Sequence, residues 1–219
     1  MDNRNSALMG KSPKPVLTYL ISIYVVSLVM ANALSNNMLQ VFNWTTSAGI
    51  LTFPITYIIA SIIGEVYGYT WARRAAWLSL AAAAVFALLL QLSNALPYPI
   101  WFDRAVFEAA MGGTWRITLA SLSAFTFGKW SNDKIFAALK ARSSGKDLEG
   151  FLVRALTSSI VGHIIDSGIF NLIAFGGIIP WESLPGMIII SVLLKWGYEW
   201  LSIPLKYWMV KKVHRLESE

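Results

Sequence analysis

Six apolar stretches, each near the length that crosses a bilayer, leave this chain few ways to fold. They run Val16–Leu34, Ser47–Glu65, Ala75–Leu96, Thr114–Trp130, Phe151–Phe175 and Leu184–Val210. About 20 consecutive apolar residues make a helix long enough for the hydrocarbon core. Backbone polar groups in lipid must be satisfied internally, which a helix does and an open sheet does not. The expected fold is therefore all-α: a polytopic membrane protein of six transmembrane helices, forming a single domain over residues 1–219. The chain is 56% hydrophobic and 14% charged with a mean hydropathy of +0.55, well away from soluble domains. Pro204 is the expected break in the long last stretch.

Lys and Arg set the expected orientation. Arg4, Lys11 and Lys14 precede the first stretch. Arg73 and Arg74 follow the second, Lys134, Lys140, Arg142 and Lys146 follow the fourth, and Lys206, Lys211, Lys212 and Arg215 end the sixth. The alternate connections carry only Arg104. Both termini are expected in the cytoplasm, with the first stretch retained as a helix rather than cleaved as a signal peptide. The net charge of +6 is thereby read as topology, not as a nucleic-acid footprint. The chain has no cysteine, so disulfides and thiolate metal sites are excluded. Three stretches and three with an N-in start suggest a 3+3 inverted repeat, each middle stretch carrying an acid, Glu65 and Asp166.

Ionisable groups deep in a membrane mark function by default. Helical spacing puts Ser159, His163, Asp166 and Phe170 on one face. Gly162 and Gly168 leave room for a neighbouring helix or a flat ligand. Asp166 lies about 18 Å inward from Arg154, near the midplane. Lys195 falls at a similar depth, on a face shared with Ser191, Tyr198 and Glu199. An unpaired ion there costs ~2.5–3.5 kcal/mol or more, so these groups are paired, protonated or wet. An ion pair of Lys195 with Asp166 or with Glu199 would either orient helices only or serve a ligand.

In the second stretch Phe53, Tyr57, Ala60 and Gly64 share a stripe, with Ser61 and Glu65 one turn apart. Glu65 either serves a site or pairs with Arg73 or Arg74 at the interface. Arg116 and Lys129 are either snorkelling anchors or, for Arg116, a group facing the bundle. Asn32 donates either to a ligand or to a neighbouring helix. No second histidine lies in the stretches, so no metal site is expected. Ser159, His163 and Asp166 project in parallel from one helix, which makes no catalytic triad. No nucleotide-binding loop is present. No enzyme activity and no cofactor are expected.

These residues also carry a resemblance. Phe53-Pro54, Glu65-Val66-Tyr67-Gly68-Tyr69 and Ala72-Arg73-Arg74 resemble a block of the queuosine precursor transporter family, the YhhQ-type members of the vitamin uptake transporter group. So do Arg116 with Ala120-Ser121, the segment from Arg154 through Ser158, Asp166-Ser167, Phe170 and Ala174-Phe175, and Lys195, Tyr198-Glu199 and Pro204. The chain departs from the family pattern at Ser61, where Asp is frequent, at His163, where an amide is frequent, and at Lys129, where Gln is frequent.

The resemblance implies import of 7-cyano-7-deazaguanine, 7-aminomethyl-7-deazaguanine or a related base across the bacterial inner membrane, by alternating access. A deazaguanine offers adjacent N–H donors that a carboxylate, Asp166 or Glu65, accepts in pairs. Its ring stacks on Phe53, Tyr57, Phe170 or Trp196, and Lys195 or His163 meets its carbonyl or cyano group. The expected site is Asp166, Lys195, His163, Glu65, Tyr57, Phe53, Asn32, Arg116, Phe170 and Glu199. The expected partners are the nucleobase, the lipid bilayer and a second copy in a homodimer. The alternative is a substrate-binding subunit of an energy-coupling-factor vitamin transporter, which needs a separate ATPase.

Overall fold

The computed structural model describes residues 15–41, 43–142 and 148–218, with side chains outside 133, 136–137, 140–142, 148–156 and 217–218. Arg4, Lys11, Lys14 and Lys146, and the side chains of Lys140, Arg142 and Arg154, lie outside the described residues.

The chain is helical, as expected, apart from one short hairpin. Its helices are α1 (Pro15–Leu34), α2 (Phe53–Tyr67), α3 (Tyr69–Ala95), α4 (Arg104–Met111), α5 (Thr114–Arg142), α6 (Leu148–Phe175), α7 (Ser183–Leu201) and α8 (Ile203–Ser218). Helices α1 and α3 and the Thr157–Phe175 part of α6 are long and apolar enough to cross a membrane. Helices α7 and α8 together make a fourth candidate, bent by 49° at Ser202. The chain is thus a multi-span membrane protein.

The second apolar stretch is not one helix from Ser47. Strands β1 (Met38–Val41) and β2 (Trp44–Ser47) pair antiparallel, and a 3₁₀ turn over Ala48–Leu51 leads into α2. Pro54 falls in the first turn of α2. There its missing N–H removes no intrahelical bond, so the proline starts the helix instead of kinking it. The turn is pinned to the end of α1: Ser35 Oγ donates to Ala31 O at 2.8 Å and lies 3.3 Å from Ser47 Oγ. A Cβ on Gly49 would fall 2.2 Å from Ser35 Oγ, so this contact needs glycine. The hairpin rests on α7, where the Trp44 ring occupies the space a Gly186 side chain would need. At the expected break, α7 stops three residues before Pro204 and α8 restarts at Ile203, putting the proline in its first turn.

Gly68 alone joins α2 to α3, at φ 87° and ψ 165°. That region is accessible essentially to glycine. Gly68→Ala is expected to cost about 1–3 kcal/mol, read as a lowered melting temperature of the detergent-purified protein. An unchanged melting temperature would show that the joint relaxes freely.

The buried apolar residues form two clusters. One joins Leu17, Leu20 and Tyr24 of α1, Ile59, Ile62 and Ile63 of α2, Ala75 and Ala76 of α3 and Val213 of α8. The other joins Ile117, Ala120 and Ala124 of α5, Phe170, Ala174 and Phe175 of α6, and Leu184 and Met187 of α7. The long apolar faces left outside, among them Tyr19, Leu88, Leu89 and Leu193, suit a lipid environment.

Candidate functional site

Between the two clusters lies a cavity of about 190 Å³. Helix α1 lends it Tyr24 and Leu28, α2 lends Phe53, Thr56 and Tyr57, and α3 lends Ala76 and Leu80. The facing wall is Ser121, Ala124 and Phe125 of α5, Asp166 and Phe170 of α6, and Lys195 of α7. Both halves of the chain therefore build it.

Its only formal charges are paired. Lys195, 5% exposed, donates from Nζ to Asp166 Oδ2 at 2.5 Å and to Ser167 Oγ at 3.0 Å. The ammonium also lies 5.2 Å from the Phe53 ring centroid. A cation over an aromatic face is attracted by the ring quadrupole, so Phe53 at the start of α2 and Asp166 on α6 hold Lys195 from two sides. A buried pair with such added donors and ring contacts offsets part of the desolvation cost of its charges.

Helix α6 is held close to α5 by glycine. A Cβ on Gly128 would lie 2.8 Å from the Asp166 Cβ and 3.2 Å from Gly162 O. Gly162 in turn faces Asn132. The expected closeness at Gly162 is present, whereas nothing approaches Gly168 within 4 Å. The far end of α6 is fixed by Arg116, whose Nε donates to Ile173 O at 2.5 Å and whose guanidinium also bonds Gly176 O. Those are carbonyls a helix C-terminus leaves unsatisfied, and the cation matches the negative end of its dipole.

A second chamber, also about 190 Å³, adjoins the first and shares Tyr57, Phe125 and Asp166 with it. Lys129, Asn132, Ser159 and His163 add polar groups to its wall. His163 Nε2 is 3.0 Å from Glu199 Oε2, and Ser159 Oγ donates to the same carboxylate oxygen at 3.2 Å.

Of the ten expected site residues, Asp166, Lys195, Phe53, Tyr57 and Phe170 line the first cavity, and His163 lines the second with Glu199 behind it. Asn32 is 1% exposed and lines neither cavity, but it is bonded to Ser121, which lines the first. Its Oδ1 accepts from Ser121 Oγ at 2.8 Å, and its Nδ2 has no partner among the described residues. Arg116 lies away from both cavities at the end of α6. Glu65 is solvent-exposed and lines neither. Trp196 is 39% exposed and packs edge-on against Trp200 instead. Ser121, Ser167 and Gly128 were not singled out as site residues. A small residue inside an apolar span was the available signal for each.

A multi-span helical protein with a paired, buried ion between two packed halves has the build of a membrane carrier. The comparisons agree. Residues 47–209 match the family described as "Putative vitamin uptake transporter", and the chain belongs to that family. It is a family of transporters, not of enzymes. The chain is 26% identical over 186 residues to the "Probable queuosine precursor transporter" of Bacillus subtilis (strain 168), covering 82% of this chain and 78% of that protein. No solved structure matches.

Proposed function

We propose that this transporter imports a queuosine precursor, 7-cyano-7-deazaguanine or 7-aminomethyl-7-deazaguanine, by alternating access around the cavity between its two halves. One observation carries the reading: the Asp166–Lys195 pair stands on the wall of a largely apolar, aromatic chamber. Such a chamber suits a flat cargo with a polar edge. The Asp166 carboxylate accepts the adjacent N–H donors of the deazaguanine edge, and the Lys195 ammonium donates to its carbonyl. Phe53, Tyr57 and Phe170 receive the ring faces. A purine that offers the wrong edge sets donor against donor or acceptor against acceptor at these two groups, which is costly. The printed name of the Bacillus subtilis relative supports the cargo class.

The topology belongs to the same proposal. Six spans, formed by α1, α2 with its preceding turn, α3, α5, α6 and the bent α7–α8 pair, sit in the bacterial inner membrane as a 3+3 inverted repeat with both termini cytoplasmic. The division of the core into one cluster built mainly by α1–α3, joined by Val213 of α8, and one built by α5–α7 supports the two halves. A homodimer remains the proposed assembly.

The test is thermal stabilisation of the detergent-purified chain by a panel of deazaguanines, guanine and unrelated vitamins. A ligand at a hundred times its Kd stabilises by about 2.7 kcal/mol. The expected result is a shift with the deazaguanines that is lost in Asp166→Asn. A shift with no member, or an equal shift with every purine, would remove the proposed cargo. Uptake by the chain alone in liposomes, without ATPase partners, is expected and separates it from an energy-coupling-factor subunit.

A further inference from the structure

Tyr57 separates two ion pairs of different chemistry. On one side stands Asp166 with Lys195. On the other, His163 Nε2 meets Glu199 Oε2 at 3.0 Å, with Ser159 Oγ 3.4 Å from His163 and 3.2 Å from Glu199. The His163 side chain is 12% exposed and Glu199 42%. The Tyr57 ring stands edge-on to the imidazole, centroids 5.8 Å apart, while also lining the apolar cavity. The charged groups around this cluster come from every packed element. Lys206 of α8 acts on Glu199, Lys129 of α5 and Asp166 of α6 share the chamber with His163, and Lys195 of α7 is held by Asp166.

An ammonium partner keeps its charge across the physiological range. An imidazole partner gains or loses its charge between about pH 5 and 8. A second proton on His163 would complete an ion pair with Glu199. His163 lines the second chamber, and the Glu199 carboxylate and Ser159 hydroxyl stand within hydrogen-bond reach of its Nε2, where they would hold a proton placed there. Anything that displaces the Tyr57 ring on the cargo side changes the edge packed on the imidazole.

We propose that His163, held by Glu199 and Ser159, is a proton-binding site coupled through Tyr57 to occupancy of the neighbouring cavity, making the chain a proton-coupled carrier. The inference rests on the transport reading above. One proton passes from water to an imidazole nitrogen on the outer side and returns to water on the inner side for each cargo molecule moved. No bond other than N–H forms or breaks.

The experiment uses the purified full chain in liposomes with radiolabelled 7-cyano-7-deazaguanine and the membrane potential clamped at zero. Two readings are taken: counterflow at equal pH, and accumulation with the outside one pH unit more acidic. One proton per neutral cargo predicts about tenfold accumulation per pH unit. His163→Gln is expected to equilibrate its cargo across the gradient without accumulating it, with a melting temperature near wild type as evidence of folding. Glu199→Gln is the second variant and is expected to accumulate less than wild type. Intact counterflow without accumulation in wild type, or full accumulation by both variants, would overturn the proton site alone. Absence of counterflow in wild type would overturn the transport reading and this inference with it.

Discussion

Asp166→Asn is expected to abolish uptake and to lower the melting temperature by on the order of 10 °C, and a second substitution at Lys195 is expected to separate those two losses. Lys195 is 5% exposed, and among the described residues its hydrogen-bond partners are Asp166 and Ser167 Oγ. Removing one member of a buried pair strands the other charge, at a cost of about 3–5 kcal/mol. In a protein of this size each kcal/mol lowers the melting temperature by roughly 2–4 °C, giving the stated fall. Replacing both members with apolar residues of similar volume is often neutral or stabilising. Asp166→Leu with Lys195→Met should therefore regain the wild-type melting temperature. It should also remain inactive, because no carboxylate is left to accept the cargo's N–H donors. A double variant that is both stable and active would reduce the pair to a helix-orienting contact and remove the proposed site. A double variant as unstable as Asp166→Asn would mean that the surroundings, and not the pair, set the cost.

The sequence made this pair readable because depth along a helix is additive. Counting turns placed Asp166 and Lys195 at one level, and the structure joins them at 2.5 Å. The stripe Phe53, Tyr57 and Ala60 was legible for the same reason, and all three line the cavity. Glu65 lies one helical turn beyond Ser61, but both face outward, since a few residues of α2 rotate the stripe away from the bundle. Arg116 could be placed at a span end by counting. Its actual partners, carbonyls of Ile173 and Gly176, are 57 and 60 positions away, and no local pattern names them.

The breaks were legible unevenly. Pro204 marked the α7–α8 bend because a proline within a long apolar run disfavours helix just before it. Pro54 was equally visible, but the strand pair before it was hidden. Its strands are four residues each and mix polar with apolar positions, so their pattern does not stand out from a loop. Helix α4 was missed within the Pro97–Gly113 connection although Asp103 caps it, its side chain accepting from the Ala105 N–H at 3.1 Å. A readable N-cap was present there, but only eight residues follow it, too few to suggest a span.

Gly128→Val is expected to cut uptake by tenfold or more while Gly168→Ala, on the facing helix, leaves it near wild type. The contrast comes from what stands in front of each glycine. At Gly128 even a single added carbon would lie 2.8 Å from the Asp166 Cβ, 3.2 Å from Gly162 O and 3.3 Å from the Asp166 Cα. These atoms belong to or adjoin the α6 backbone, so no side-chain rotation relieves the clash and α6 itself must move off α5. Overpacking of this kind costs about 1–3 kcal/mol. The larger effect is positional: α6 carries Asp166 away from Lys195, and a group displaced by about 1 Å loses on the order of a hundredfold in a reaction that depends on alignment. Binding that depends on paired short hydrogen bonds is sensitive in the same direction. At Gly168 nothing lies within 4 Å, so alanine adds a carbon to open space. The measurements are initial uptake rates in liposomes and melting temperatures of both variants. Wild-type uptake in Gly128→Val would show that the spacing of α5 and α6 does not set the position of the carboxylate. A loss in Gly168→Ala equal to that in Gly128→Val would show that the open face of α6, rather than its packed face, is where the cargo or the moving half makes contact.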